Sequence, residues 1–117
     1  MSLINQIKAR KGNVGFFSGK TMMPMDDVIS THPDGVTINE VAMGIGQNGE
    51  YVAFTCEEFP GSFTFGGSVF YDIIKKWNES ETIDQINAQL SANPEKVIFV
   101  KRINKRGKPY FDVEIPE

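Results

Sequence analysis

Apolar and polar residues alternate over most of the chain and switch to a helical period in one central stretch. The runs from Val36 to Ile45 and from Tyr51 to Glu57 read as two strands with Gln47-Asn48-Gly49-Glu50 between them. Asn-Gly accepts the positive φ of both central positions in a type I′ turn, whose twist suits a hairpin. In the second strand, Val52, Phe54 and Cys56 fall on one face and Tyr51, Ala53 and Thr55 on the other, outward one. Phe59-Pro60-Gly61 precedes a short strand, Ser62 to Phe65, which Gly66-Gly67 ends. From Ser68, a suitable N-cap, Val69, Phe70, Ile73, Ile74 and Trp77 form the stripe of an amphipathic helix. A second helical piece starts at about Thr82, aligns Ile83, Ile86 and Leu90, and closes at Asn93-Pro94. Val97-Ile98-Phe99-Val100 then opens a strand that runs to Ile103 and turns at Asn104-Lys105-Arg106-Gly107. The return strand sets Tyr110, Asp112 and Glu114 outward and Phe111, Val113 and Ile115 inward.

Before residue 36 the pattern is weaker. Apolar pairs between glycines predict short strands over residues 3–19, with a turn at Lys11-Gly12-Asn13. Pro24, Asp26 and Asp27 suit the start of a helix over 24–31, which Pro33 stops. The order over 36–117 is strand, strand, strand, helix, strand, strand. This is the order of a five-stranded oligonucleotide/oligosaccharide-binding (OB-like) barrel, with its helix between strands three and four. The expectation is a mainly β, single domain over 1–117, with residues 1–35 as an N-terminal addition to the barrel. The runner-up is an α+β sandwich with helices on one face of an antiparallel sheet.

The 117 residues suit one domain, and 40% hydrophobic content excludes a disordered chain. No apolar run approaches the roughly 18 residues of a membrane helix, and the first residues lack a signal-peptide layout. A cytoplasmic protein with no membrane partner is expected, in the host cell if the protein is viral. Twelve Lys and Arg against fifteen Asp and Glu exclude a uniformly basic nucleic-acid binder. The distribution leaves a locally basic one open. Lys96, Lys101, Arg102, Lys105, Arg106 and Lys108 are half of all cations, opposed locally only by Glu95. Lys8, Arg10, Lys11 and Lys20 form a second group.

Candidate chemistry narrows quickly. His32 and Cys56 are the only residues of their types and fall in different elements, so neither a metal site nor a Cys-His nucleophile is expected. Glu57 and Glu58, adjacent on a strand, point to opposite faces, and Asp26-Asp27 suit a helix start; both pairs read as solvated acids. Gly44-Ile45-Gly46-Gln47-Asn48-Gly49 matches G-x-G-x-x-G but leads into a strand, so it is not a nucleotide loop. No catalytic residue and no cofactor is expected. Cations interleaved with aromatics remain, the combination by which single-strand binders grip phosphates and stack on bases. Lys101, Arg102, Lys105, Arg106 and Lys108 surround the last turn, the loop between barrel strands four and five. Tyr51 and Tyr110 are the stacking candidates. Phe16 with Lys20 repeats the pattern on a smaller scale. Phe54, Phe63, Phe65, Phe70, Phe99 and Phe111 are assigned to the core, and Trp77 to helix packing.

Two stretches resemble the small single-stranded DNA-binding proteins of lactococcal and related siphophages. They are Gly46-Gln47-Asn48-Gly49-Glu50-Tyr51-Val52-Ala53-Phe54-Thr55 and the basic hairpin from Val97 to Phe111. The resemblance implies a non-enzymatic protein that coats single-stranded DNA with little sequence preference in phage DNA replication or recombination. Recombination or replication proteins are then further partners. The end, Phe111-Asp112-Val113-Glu114-Ile115-Pro116-Glu117, reads as a strand rather than the acidic recruiting tail of bacterial proteins of this class. A homodimer is expected, since a barrel edge must be covered and two-fold pairs are the commonest assembly. The alternative is a protein-interaction module whose basic hairpin is merely solvated.

Overall fold

The computed structural model describes residues 16–47 and 49–116. Their elements run β1 (Thr21–Met22), α1 (Met25–Thr31), β2 (Val36–Gly46), β3 (Gly49–Cys56), β4 (Ser62–Phe65), α2 (Gly67–Asn78), α3 (Ile83–Ala92), β5 (Glu95–Ile103) and β6 (Pro109–Glu114). The strands form one mixed sheet in the order β1-β4-β3-β2-β5-β6, parallel only between β1 and β4.

β2 is the strand on which the sheet divides. Its first residues, Val36 to Ile38, pair with Glu95 to Val97 of β5, whereas the rest of its length pairs with β3 alone. The register slips between Ile38 and Glu40. An extra residue in one strand bends it and strengthens its twist. Beyond the slip, the side chain of Asn87 on α3 substitutes for a neighbouring strand. Its Oδ1 accepts from the Val41 N–H at 2.8 Å, and its Nδ2 donates to the Val41 carbonyl at 2.9 Å. Buried Val41 thus keeps its backbone groups satisfied, and α3 is fixed in place. α3 itself starts with a capping box between Thr82 and Gln85, at the residue where the sequence pattern starts the helix.

The main core lies on one face of the sheet. Val36, Ile38, Val52, Phe54, Cys56 and Phe99 meet Met25 and Val28 of α1, Phe70 and Ile74 of α2, and Ile86 and Leu90 of α3. Phe54 stacks on Phe99 (4.9 Å, 8°), and Phe70 meets both rings edge-on at 5.5 Å. The other face is not simply solvated. Phe16 covers Ala42 and Ala53 there, with Phe17 and Phe63 packed around them. Ala53, expected outward, is therefore buried, and so is Thr55, whose hydroxyl donates to Asn39 Oδ1 at 2.5 Å.

The sheet is open. Among the described residues β4 and β6 do not pair, so the closed five-stranded barrel predicted from the element order is absent. The cause is local. β4 is four residues long, the Gly66 N–H turns back to the Val52 carbonyl (3.0 Å), and Gly67 at φ +82° starts α2. The first residue of α2 then sits against Phe111 of β6, where a Cβ on Gly67 would lie 3.5 Å from the Phe111 Cβ. A helix, not a ladder, fills the gap.

Other expectations shift. α2 is capped at Gly66 without a side-chain bond, not at Ser68. The β2–β3 hairpin closes on the pair Gly46–Gly49, whereas the Asn-Gly reading would pair residues 47 and 50; Asn48 lies outside the described residues. The strands and turn expected before residue 16 also lie outside them, as do Lys8, Arg10 and Lys11. Phe16 and Phe17 are helical rather than extended. Ile115 follows β6 and is exposed.

Glu57 and Glu58 occupy a turn after β3. The Glu58 carboxylate accepts from the Thr37 N–H (2.7 Å) and hydroxyl (2.9 Å). Partial burial pushes its pKa up, but the Thr37 donors outweigh this and hold it below the ordinary range. A depressed folded pKa stabilises the fold above the unfolded value of about 4.3 and loses that contribution as the pH falls through the folded value. Glu58→Gln should therefore flatten the loss of stability between about pH 5 and pH 3. Urea midpoints of both proteins across that window test this; parallel pH profiles would contradict it.

Candidate nucleic-acid interface

The β5–β6 hairpin is built around Asn104. Its Oδ1 accepts from the N–H groups of Arg106 (2.9 Å) and Lys108 (3.0 Å). The Gly107 N–H returns to the Asn104 carbonyl at 3.0 Å, and Gly107 supplies φ +78°. This holds Lys105, Arg106 and Lys108 outward. All three are exposed, and among the described residues none has a carboxylate within ion-pair distance.

Two of the cations on β5, Lys101 and Arg102, are already engaged. Arg102 donates from Nε to Asp112 (2.7 Å) and from a guanidinium NH2 to Glu114. The hydrogen bond from Arg102 holds the Asp112 carboxyl below its usual range and pushes the guanidinium further up. Lys101 pairs with Asp26 of α1 at 3.2 Å and lies 5.9 Å from the centre of the Phe111 ring. All three ion pairs are exposed, so they orient these side chains more than they stabilise the fold. Tyr110, opposite Arg102 in the ladder, is half-buried.

The second group of candidates lies on the β3–β4 side. Tyr51 faces its cross-strand partner Gly44, where a Cβ would come within 2.5 Å of the tyrosine oxygen. Gly44 therefore leaves the space that the ring uses. Tyr51 then meets Phe17 at 5.9 Å and Phe65 at 5.7 Å, while Phe63 meets Phe17 at 4.8 Å and Phe65 at 5.5 Å. Phe65, assigned to the core from sequence, is 44% exposed, and Met22 of the adjoining β1 is 50% exposed. Phe16 corrects the sequence reading in the other direction. It is 5% exposed, so its ring is closed to a base. The Lys20 amine donates to the Phe16 carbonyl and lies 5.1 Å from the centre of that ring, so it serves this contact first. Register supplies the signal for Phe65: it pairs with Ala53, whereas Thr64 pairs with Phe54 and faces the core.

A cavity of about 630 Å³ opens between the end of the β2–β3 hairpin, β4 and the start of α2. Tyr51, Phe65 and Tyr71 form aromatic walls, with Glu50 and Ser68 beside them. The Tyr71 hydroxyl donates to Glu50 Oε2 at 2.6 Å, and this bond pushes the phenol pKa up. Lys75 lies over the Tyr71 ring at 5.8 Å. No residue of the basic hairpin lines this cavity. The two groups approach through Gly67, which lines the cavity and would meet Phe111, the ladder partner of Lys101, if it carried a Cβ. Tyr51 and Tyr110 stand on different strands, β3 and β6, and share no ring contact.

Among the described residues no group of three His, Cys, Asp or Glu side chains could hold a metal, and no helix is long and apolar enough to cross a membrane. Cys56 is buried, and burial pushes its thiol pKa up, which suits a packing role rather than a nucleophile. Compared with known proteins, the chain matches no family model, no curated protein and no solved structure.

Proposed function

We propose that this protein binds single-stranded DNA with little sequence preference along most of its path. The observation that carries this reading is the division of the hairpin cations. Arg102 and Lys101 are paired with Asp112, Glu114 and Asp26, whereas a turn ordered by Asn104 holds out Lys105, Arg106 and Lys108 with no carboxylate partner among the described residues. In a chain of net charge −3 such a tip is a local positive field, and phosphates are the anions that a nucleic acid offers it. Exposed Phe65 and half-buried Tyr51 on the β3–β4 side supply the stacking surfaces, and Phe65 replaces Phe16 among them. The strand would run from the tip past Lys101 and the first turn of α2 to Tyr51 and Phe65.

The strand order supports an OB-like origin for this surface. Within β4-β3-β2-β5-β6, the strands follow the sequence third, second, first, fourth, fifth of an OB barrel, opened between its third and fifth strands. In that frame the basic turn is the loop joining strands four and five, a usual ligand-gripping loop. The similarity to siphophage single-strand binders extends the proposal to a non-enzymatic coat on phage DNA in the host cytoplasm during replication or recombination, alongside proteins of those processes. A homodimer through the outer edge of β6 fits the same reading, because an unpaired edge strand invites its own copy.

A protein-interaction module is the second reading, favoured by the exposed Met22 and Phe65. Titration of the protein into labelled oligo-dT at low salt separates the two. Saturable binding that duplex DNA competes for poorly is expected. No binding at low salt would reject the proposal and leave the interaction module.

A further inference from the structure

We infer that the cavity beside Tyr51 is a base-selective subsite that takes one unstacked guanine of the bound strand, recognised by Glu50. The inference rests on the single-strand reading above and adds a sequence preference to it. About 630 Å³ falls within the usual range of small-ligand sites, roughly 300–1,000 Å³. Three ring-bearing walls, Tyr51, Phe65 and Tyr71, suit a flat aromatic ligand. A phosphate is the wrong occupant, because the one charged side chain of the lining is the carboxylate of Glu50. The sugar-phosphate chain would therefore stay outside, where Lys75 stands over the Tyr71 ring.

Glu50 also selects among bases. An ionised carboxylate only accepts hydrogen bonds. Tyr71 holds one of its oxygens, Oε2, by a 2.6 Å bond, and among the described residues Oε1 has no donor. Guanine alone among the DNA bases presents two adjacent donors, N1–H and N2–H, on its pairing edge. Thymine offers one N–H between two carbonyl oxygens, both of which would face the carboxylate. Cytosine and adenine each place a ring-nitrogen acceptor next to their amino group. An acceptor set in an aromatic cavity thus favours guanine most and thymine least. A two-bond match of this kind discriminates by about 5- to 150-fold.

The test compares labelled oligo-dT with the same oligonucleotide carrying one central dG, by fluorescence anisotropy at fixed salt. Wild type should bind the dG form about 5- to 150-fold more tightly. In Glu50→Gln, whose side chain is exposed and whose folding is checked by its melting curve, the ratio of the two affinities should fall towards one. Tyr71→Phe, which keeps the ring and frees the carboxylate, should lower the ratio partway. Equal affinity of wild type for both oligonucleotides overturns the inference alone. A ratio that survives Glu50→Gln overturns the role of Glu50. Failure of both oligonucleotides to bind overturns the single-strand reading, and the inference with it.

Discussion

Phe54→Ala should lower the unfolding free energy by about 3–5 kcal/mol, the usual cost of deleting a buried aromatic side chain. Domains of this kind are stable by only about 5–15 kcal/mol, so the loss is about a fifth of the total or more. Phe54 is 1% exposed and joins three elements at once: it lies on β3, stacks on Phe99 of β5 and receives the edge of Phe70 of α2. The position has leverage because the sheet is open. β3 and β5 are not ladder neighbours, and among the described residues β4 and β6 do not pair, so packing of these rings adds to the short β2–β5 ladder in holding the two halves together. A fall in melting temperature of about 15 °C is expected by circular dichroism. A change below about 1 kcal/mol would mean that the cavity collapses freely and that the rings do not hold the halves.

The second large effect concerns the hairpin tip. Lys105→Ala, Arg106→Ala and Lys108→Ala together remove three cations that have no carboxylate partner among the described residues. If each neutralises one phosphate, and each contact contributes a slope of about −0.7 in log K against log salt, the loss at about 0.1 M salt is about 100-fold. Folding should be untouched, since the three side chains are exposed and the turn is held by Asn104 and Gly107. Arg102→Ala provides the contrast. That guanidinium is already shared between Asp112 and Glu114, and its removal should weaken DNA binding far less than the tip substitutions do.

Much of this arrangement was legible in the residues. The helical stripe of Val69 to Trp77, the start of α3 near Thr82 and the basic hairpin each follow from a short-range pattern, and each formed within a residue or two of where the pattern sets it. Closure of the barrel was not legible, because it depends on whether a four-residue β4 outlasts the turn at Gly66 and Gly67. The fate of Phe16, Phe63 and Phe65 was hidden for a related reason. Alternation shows that Phe63 and Phe65 share a face but not which one, and the pairing of Phe65 with Ala53 decides it. Burial of the Ala53 face was equally invisible, since it comes from Phe16, more than thirty positions earlier in the chain. The ion pairs of Lys101 and Arg102 are cross-element contacts. They reduce five apparent hairpin cations to three free ones among the described residues.

The most direct test of the central claim is the salt dependence of oligo-dT binding for wild type and the triple tip variant side by side. The wild-type slope of log K against log salt should be clearly negative, and the variant slope shallower by about 2, the contribution of three phosphate contacts. Parallel slopes, or a wild-type affinity indifferent to salt, would contradict a phosphate-gripping tip.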